Sequence, residues 1–532
     1  MAGSPLKILI TADIHAQLAL DKKNRRPGLA RLAAYVKSLR QNGPVLLFDA
    51  GDLMSGSIYG ATDLGQTVAS LVGRLGYRAF LPGNHDFDHN PEAGEALYYF
   101  EELWPRAKKE SPELEILALN LLYKGQTPPG VQNLILVQDE PRVAITGIPC
   151  PLTQRPSLGS ILKDFDFGLR STLSRTKEEI LASLAKILAP FDKPTDITIV
   201  LAHLGSNLRG TLGLSGQMSL DFANTPLGPD LTEVPNVTLV VDGHSHEVIE
   251  PSRPRHKAWY VNLGQGLEAL AEITIHKSNL GQGDFSQNGF SLELKTYADL
   301  MDLEPEPTLA KLIFDLDQRL GLNEKLLTLP PEAPYSLSGL WSEIIPLGQL
   351  VVEAMAEGAQ TQIAFLNKGA LRASLEGQVT VGSLRQVLPF SDRLLKASLS
   401  GATILKLIHK FSQKGFKGLP LYHGLNLWVY PLNSEDDLNG PLGLAGLSLA
   451  DGQELKAEKT YSLALSGQMA RLLADNLPSL TEEGQMFEAV LALVRARSQK
   501  IFLHDPSSNP YRLFESQEEA RKAFEERFRD LP

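Results

Sequence analysis

Short apolar runs separated by helical stretches dominate the first half of the chain. Leu6–Thr11, 45–48, Ile197–Ala202 and 237–241 are apolar runs of strand length and read as strands buried between layers. Between them, Leu29–Arg40 and 176–187 carry apolar residues at helical spacing, the mark of helices with one buried face. The alternation predicts an α/β fold built on layered sheets. Beyond the strand runs come polar clusters: Asp13 and His15, then Asp52, then His203, then His244 and His246, while the shorter run 79–81 leads into Gly83-Asn84-His85. In open α/β sheets, loops from distant segments converge outside the carboxyl ends of the strands, and ligands collect there.

The pattern changes after about residue 281. A Gly-, Asn- and Ser-containing stretch is followed by prolines at 305, 307, 330, 331 and 334, which marks a domain connection. The expected division is a first domain over 1–290, a linker over 291–338 with one helix at 308–320, a second domain over 339–503, and a charged tail over 504–532. Within the tail, Gln517–Arg529 reads as a solvated helix packed on the surface.

Composition agrees with two cores. The 532 residues exceed what one core organises, and 43% hydrophobic with 21% charged residues is ordinary for a globular chain. Acidic residues outnumber basic ones, 62 to 51, without long runs of either sign, so no nucleic-acid partner is expected. Cys150 is the single cysteine, which excludes an intrachain disulfide and suits a reducing compartment. The N-terminus lacks a basic segment followed by an apolar one, so the expected location is cytoplasmic. A signal removed upstream of this start would make it periplasmic or secreted instead. No stretch approaches the roughly 18 consecutive apolar residues that span a bilayer, so no membrane association is expected.

Histidines and carboxylates together suit divalent transition metals, with Zn, Mn, Fe and Co all admissible. Glycines beside these residues, at Gly51, Gly83 and Gly243, let a strand end turn sharply toward a shared point. Singly, each motif is weak: an Asp-x-His or Gly-Asp pair is common in turns. Their joint occurrence at strand ends is not.

In this order the motifs resemble those of the calcineurin-like metallophosphoesterases, and the second half narrows the likeness to the 5'-nucleotidase family, over roughly residues 6–503. The resemblance implies a four-layer α/β/β/α metallophosphoesterase domain followed by a smaller α/β C-terminal domain. It implies two divalent metal ions, the first held by Asp13, His15, Asp52 and His246, the second by Asp52, Asn84, His203 and His244, with Asp52 shared. It further implies phosphoester hydrolysis by a metal-bridging hydroxide. For His85 it implies a role in stabilising developing charge or delivering a proton, with Asp88, in preference to Asp86 or His89, orienting its ring. One departure is Ala16, where the family usually has glycine.

In the second domain, Leu347-Gly348-Gln349-Leu350 resembles the family's opening helix. Asn367-Lys368-Gly369-Ala370-Leu371-Arg372 fits its Asn-x-Gly-x-x-Arg pattern, which implies substrate contacts from Asn367 and Arg372. Pro389-Phe390, followed by Leu399-Ser400-Gly401, implies stacking of Phe390 on a nucleobase. The family's Gly-Gly-Asp-Gly-aromatic segment has no clean match; Glu483-Gly484-Gln485-Met486-Phe487 is nearest and makes Phe487 the candidate second ring. The arginine that relatives carry before the opening helix is also missing, with Lys368 the candidate substitute charge.

The implied activity is that of a 5'-nucleotidase releasing phosphate from a nucleoside monophosphate, a small phosphorylated substrate. The altered base-binding segment keeps other esters on the same scaffold in view: a cyclic nucleotide, a sugar nucleotide or a sulfur ester. A noncatalytic binding protein of this fold would show lost ligands, and every matching ligand position is filled.

Overall fold

A computed structural model describes the chain apart from residues 1–3, 23–24, 88–97, 120, 124–125, 150–164, 167–176, 207–226, 254–256, 276–288, 332–334, 341–344, 390–391, 433–439, 474–476, 478, 498–510, 514–515 and 530–532. It divides into two compact units between Leu316 and Asp317, within the helix Pro307–Arg319.

The first unit contains two mixed sheets. The larger runs, edge to edge, through Phe290–Thr296, Ala269–Ile275, Leu6–Thr11, Val45–Asp49, Tyr77–Phe80, Glu115–Leu117 and Val131–Gln132. Its last five strands are parallel, while Ala269–Ile275 and Phe290–Thr296 add an antiparallel edge. The strand Phe290–Thr296 therefore belongs to this sheet. The second sheet orders Val248–Ser252, Trp259–Leu263, Leu239–Asp242, Ile197–Ala202, Arg142–Ile148 and Leu134–Asp139, with a parallel centre and antiparallel edges. Every residue of Ile197–Ala202 is buried, which is why the run lacks alternation. The helix Lys177–Leu188 has Glu178 and Glu179 in its first turn, where acids complement the helix dipole. It buries Ile180, Leu184 and Leu188, spaced one turn apart, against Val200, Ala202, Val240 and Tyr260. Helix and sheet thus exclude water from one another, the four-layer α/β/β/α arrangement that the motifs imply.

The second unit is a smaller α/β structure. Its main sheet orders Leu421–His423, Ile363–Leu366, Thr460–Ser466, Arg393–Ser400 and Thr481–Gln485. The helix Gly401–Ser412 starts at Ser400, whose hydroxyl accepts the Thr403 N–H, and sets Ile404, Leu407, Ile408 and Phe411 in one core with Phe365, Leu463 and Leu465. A three-stranded sheet of Leu442–Leu449, Leu425–Pro431 and Tyr511–Leu513 lies beside it in the chain's last third.

The helix Gln517–Arg529 docks on this small sheet, with the Phe524 ring edge-on to the buried Trp428 at 5.0 Å between centroids. The tail is therefore part of the second unit's packing. Among the described residues, no helix is long and apolar enough to cross a membrane. Since Phe524 is half-buried, Phe524→Ala should destabilise the second unit by about 2 kcal/mol, below the ~3–5 of a fully enclosed aromatic. Denaturant melts of the variant measure this, and an unchanged midpoint would mean that the helix is only an appendage.

Candidate metal centre and substrate residues

The carboxyl ends of parallel strands from both sheets of the first unit supply the candidate ligands. Asp13 and His15 follow Leu6–Thr11, Asp52 follows Val45–Asp49, and Asn84 follows Tyr77–Phe80. His203 comes directly after Ile197–Ala202, and His244 and His246 follow Leu239–Asp242. The structure brings six of these seven into two groups, Asp13 with His15 and His246, and Asp52 with His203 and His244; within each group the donor atoms lie within 4.8 Å of one another.

His246 Nε2 is 3.3 Å and His15 Nε2 3.6 Å from Asp13 Oδ1, while His203 Nε2 is 3.1 Å from Asp52 Oδ2. His15 Nε2 also lies 3.8 Å from Asp52 Oδ2, and His203 Nε2 lies 4.0 Å from Asp13 Oδ1, so the groups adjoin. Donors that share an ion at about 2.0–2.2 Å sit roughly 3–4 Å apart, as these do.

The polar-atom balance supports the same reading. Asp13 Oδ1, Asp52 Oδ2, Asn84 Oδ1 and His203 Nε2 are all buried without a hydrogen-bond partner. Buried polar atoms left this way are costly, and two of them, Asp13 Oδ1 and Asp52 Oδ2, lie within 4.0 Å of a third, His203 Nε2, a setting that suits a cation. Asn84, in neither group, also carries a buried oxygen without a partner. His203 Nδ1 bonds the Ala50 carbonyl at 2.8 Å and His15 Nδ1 that of Ser55 at 3.2 Å. A carbonyl only accepts, so each Nδ1 carries the proton and each Nε2 faces the cluster as a ligand should.

Electrostatics follow from the crowding. Burial disfavours a charged Asp13, but His203, His15 and His246 outweigh it and hold the carboxyl well below its usual range. Asp52 is likewise held down against burial by His203 and His85. His203 rises to about 10 despite burial, because Asp52 and Asp13 face it, whereas burial and then His203 depress His244 to about 3.

The backbone is strained at the same point. Asp13, His15, Asp52, His244 and His246 have φ of 50°, 53°, 57°, 70° and 57°, the left-handed region that costs a residue with a Cβ about 1–2 kcal/mol. Ala16, where the family favours glycine, adopts the same turn at φ 54°. A Cβ on Gly83 would lie 2.3 Å from both the nitrogen and Oδ1 of Asp52, so only glycine lets these loops approach.

Three further buried carboxylates hold the loops, and sequence reading does not single them out for this. Asp86 accepts four backbone N–H groups, from Gly83, Asp52, Leu53 and Met54, at 2.8–3.0 Å. Burial, then Asp52, push its carboxyl up to about 7. Asp49 accepts from Thr11 Oγ1 and the Gly51 N–H, at 2.6 and 2.9 Å. Asp242 accepts from Leu204, Gly205 and Gly243. Their only signal in the sequence is an aspartate at or just beyond a strand end.

His85 is in neither metal group, and its ring centroid lies 5.2 Å from that of His15. Its backbone N–H donates to Asp52 Oδ1 at 2.7 Å. Asp88, expected to orient it, lies outside the described residues, as does Phe390.

In the second unit, Asn367 ends the strand Ile363–Leu366, its carboxamide 3.4 Å from Gln468 Oε1 and from Ser466 Oγ. Arg372 is half-buried, its backbone N–H on the Val387 carbonyl. Phe487 is enclosed in the helix Met486–Arg497, with the Arg385 guanidinium 3.3 Å from its ring centroid. Lys368 is buried too: its ammonium donates to the Phe416 carbonyl at 2.8 Å and sits 4.5 Å from that residue's ring centroid. Burial lowers it to about 7.

Residues 6–248 match the calcineurin-like phosphoesterase family, and residues 336–471 match the 5'-nucleotidase C-terminal domain. The chain is 30% identical over 468 residues to a human 5'-nucleotidase, covering 77% of this chain and 72% of that protein. It is 22% identical over 487 residues to the Bacillus subtilis endonuclease YhcR, but spans only 37% of that protein's length. The fold superposes on a 5'-nucleotidase precursor from Thermus thermophilus with a TM-score of 0.66 at 18% identity, covering 96% of this chain and all of that one.

The depressed amine of Lys368 gives a pH prediction. A folded value of about 7 against an unfolded one near 10.5 makes its protonation a cost to folding, present in full below pH 7 and relieved as pH rises toward 10.5. Stability of the second unit should thus rise between pH 7 and 10, and Lys368→Met should remove that component. Denaturant midpoints measured across the range check this; identical profiles for the two proteins would contradict it.

Proposed function

The chain belongs to the 5'-nucleotidase family of calcineurin-like phosphoesterases, and from that premise we propose that it releases phosphate from nucleoside 5'-monophosphates with two divalent metal ions. The observation that carries the proposal is the pair of adjoining donor groups with their orphaned buried atoms. In this reading Asp13, His15, Asp52 and His246 hold one ion, while Asp52, Asn84, His203 and His244 hold the other. Mixed oxygen and nitrogen ligation suits Zn, Mn, Fe or Co. When bound, the ions supply water activation and offset the charge of the phosphoryl oxygens.

The chain's own residues do the rest. Asp13 and Asp52 together contribute two negative charges against the four positive ones of two dications, so an anionic phosphate is drawn in. His85, beside the metal groups and outside both, is placed to stabilise charge on the phosphoryl group or to give a proton to the leaving oxygen. The orienting role goes to Asp88, as the family resemblance implies, since Asp86 is committed to four backbone N–H groups. In the second unit Arg372 anchors the anion, Asn367 contacts the nucleoside and Phe390 stacks on the base. Phe487, capped by Arg385, serves packing, and Lys368 is spent on Phe416.

Metal-depleted protein should be inert toward AMP, and Mn or Zn should restore phosphate release. Asp52→Asn should abolish turnover and lower metal content at both positions. His85→Asn should keep its metal while turnover falls roughly 100- to 10,000-fold. Elemental analysis beside the phosphate assay decides: no release from AMP with any metal sinks the 5'-nucleotidase reading, and a His85 variant stripped of metal sinks the role given to that residue.

A further inference from the structure

Asp242 ends the strand Leu239–Asp242 and is fully buried. Its Oδ1 accepts three backbone N–H groups, from Leu204 at 3.0 Å, Gly205 at 3.3 Å and Gly243 at 2.9 Å. Leu204 and Gly205 immediately follow His203, and Gly243 immediately precedes His244. One oxygen therefore ties together the two loops that present the two histidines of a single donor group. Those loops leave adjacent parallel strands, with Ala202 paired to Asp242, so both turn away from the sheet at the same level. Without an acceptor there, three buried N–H groups would stay unsatisfied.

The carboxylate is itself fixed from behind. Tyr260 OH donates to Oδ2 at 2.8 Å, and Gly228 packs so closely that an added Cβ would lie 1.9 Å from that oxygen. Asn262, paired with Asp242 in the next strand, donates to the Gly243 carbonyl and to Ser245 Oγ, both at 3.1 Å. Of the other donor group only His246 shares the loop of His244, whose N–H also donates to Asp13 Oδ2 at 2.9 Å, while Asp13 and His15 are anchored elsewhere. The Asp13 N–H bonds the Gly51 carbonyl, the His15 N–H that of Asp52, and the His15 ring the Ser55 carbonyl. Asp86 performs the equivalent task for the loops of Asp52 and Asn84.

We propose that Asp242 is a positioning residue that sets the affinity of one metal position, that of Asp52, His203 and His244, and leaves the position of Asp13, His15 and His246 largely unaffected. The proposal rests on the two-metal reading above. Its physical content is that an ionised acceptor shared by three N–H groups holds two imidazoles at one separation more firmly than a neutral acceptor of the same shape.

Asp242→Asn tests it, since the amide oxygen keeps the shape while the charge is lost. Metal-depleted full-length protein is titrated with Co2+, followed by calorimetry and by visible absorption. The wild type should show two binding events. In Asp242→Asn one of them should weaken roughly 10- to 100-fold and the other should hold. Tyr260→Phe, which removes the donor to Oδ2 and the hydroxyl's bond with Asn262 but keeps the carboxylate, should weaken the same event by less. It carries the test alone if the Asn variant does not fold. Unchanged titrations, or equal weakening of both events, would overturn the proposal. A wild type that binds a single ion would instead overturn the two-metal reading on which it rests.

Discussion

Two buried carboxylates, Asp13 and Asp52, face three imidazole nitrogens in a space that water barely reaches, and the first unit is organised around that electrostatic burden. Charged groups can be buried only if something of opposite charge shares the space. His203 does so in part: facing Asp13 and Asp52 it is raised, and both aspartates are lowered. Divalent cations meet the same requirement better, because they also satisfy the oxygens and nitrogens that have no hydrogen-bond partner.

Holding such a cluster together before a cation arrives takes work from the scaffold. Five candidate ligands sit in left-handed backbone conformations, and strain of that kind persists only where surrounding contacts over-determine it. The contacts come from Asp49, Asp86 and Asp242, whose carboxylates are each spent on loop N–H groups rather than on substrate or metal. The sheets supply depth, their helices supply the apolar cover, and these three aspartates convert ragged strand ends into a fixed cup.

The sequence made the first of these layers legible and left the second hidden. Asp13, His15, Asp52, Asn84, His203, His244 and His246 stand out because each follows an apolar run and has a side chain that binds metals. Asp86 reads only as a rival partner for His85, since nothing in a linear pattern says that its oxygens meet the N–H groups of residues 52–54. Phe487 reads as a candidate stacking ring because the approach of Arg385 from a separate helix is invisible along the chain. The same holds for Phe524: a charged helix looks solvated until that ring is seen against Trp428. Ligands are chosen for chemistry and leave a mark; their supports are chosen for position and leave little.

The most direct test of this account is anomalous diffraction from crystals of the protein loaded with Mn or Zn. It should give two peaks about 3.5–4 Å apart, one within bonding distance of Asp13, His15 and His246, the other of Asn84, His203 and His244, with Asp52 reaching both. A single peak, or a peak bonded to His85, would contradict it.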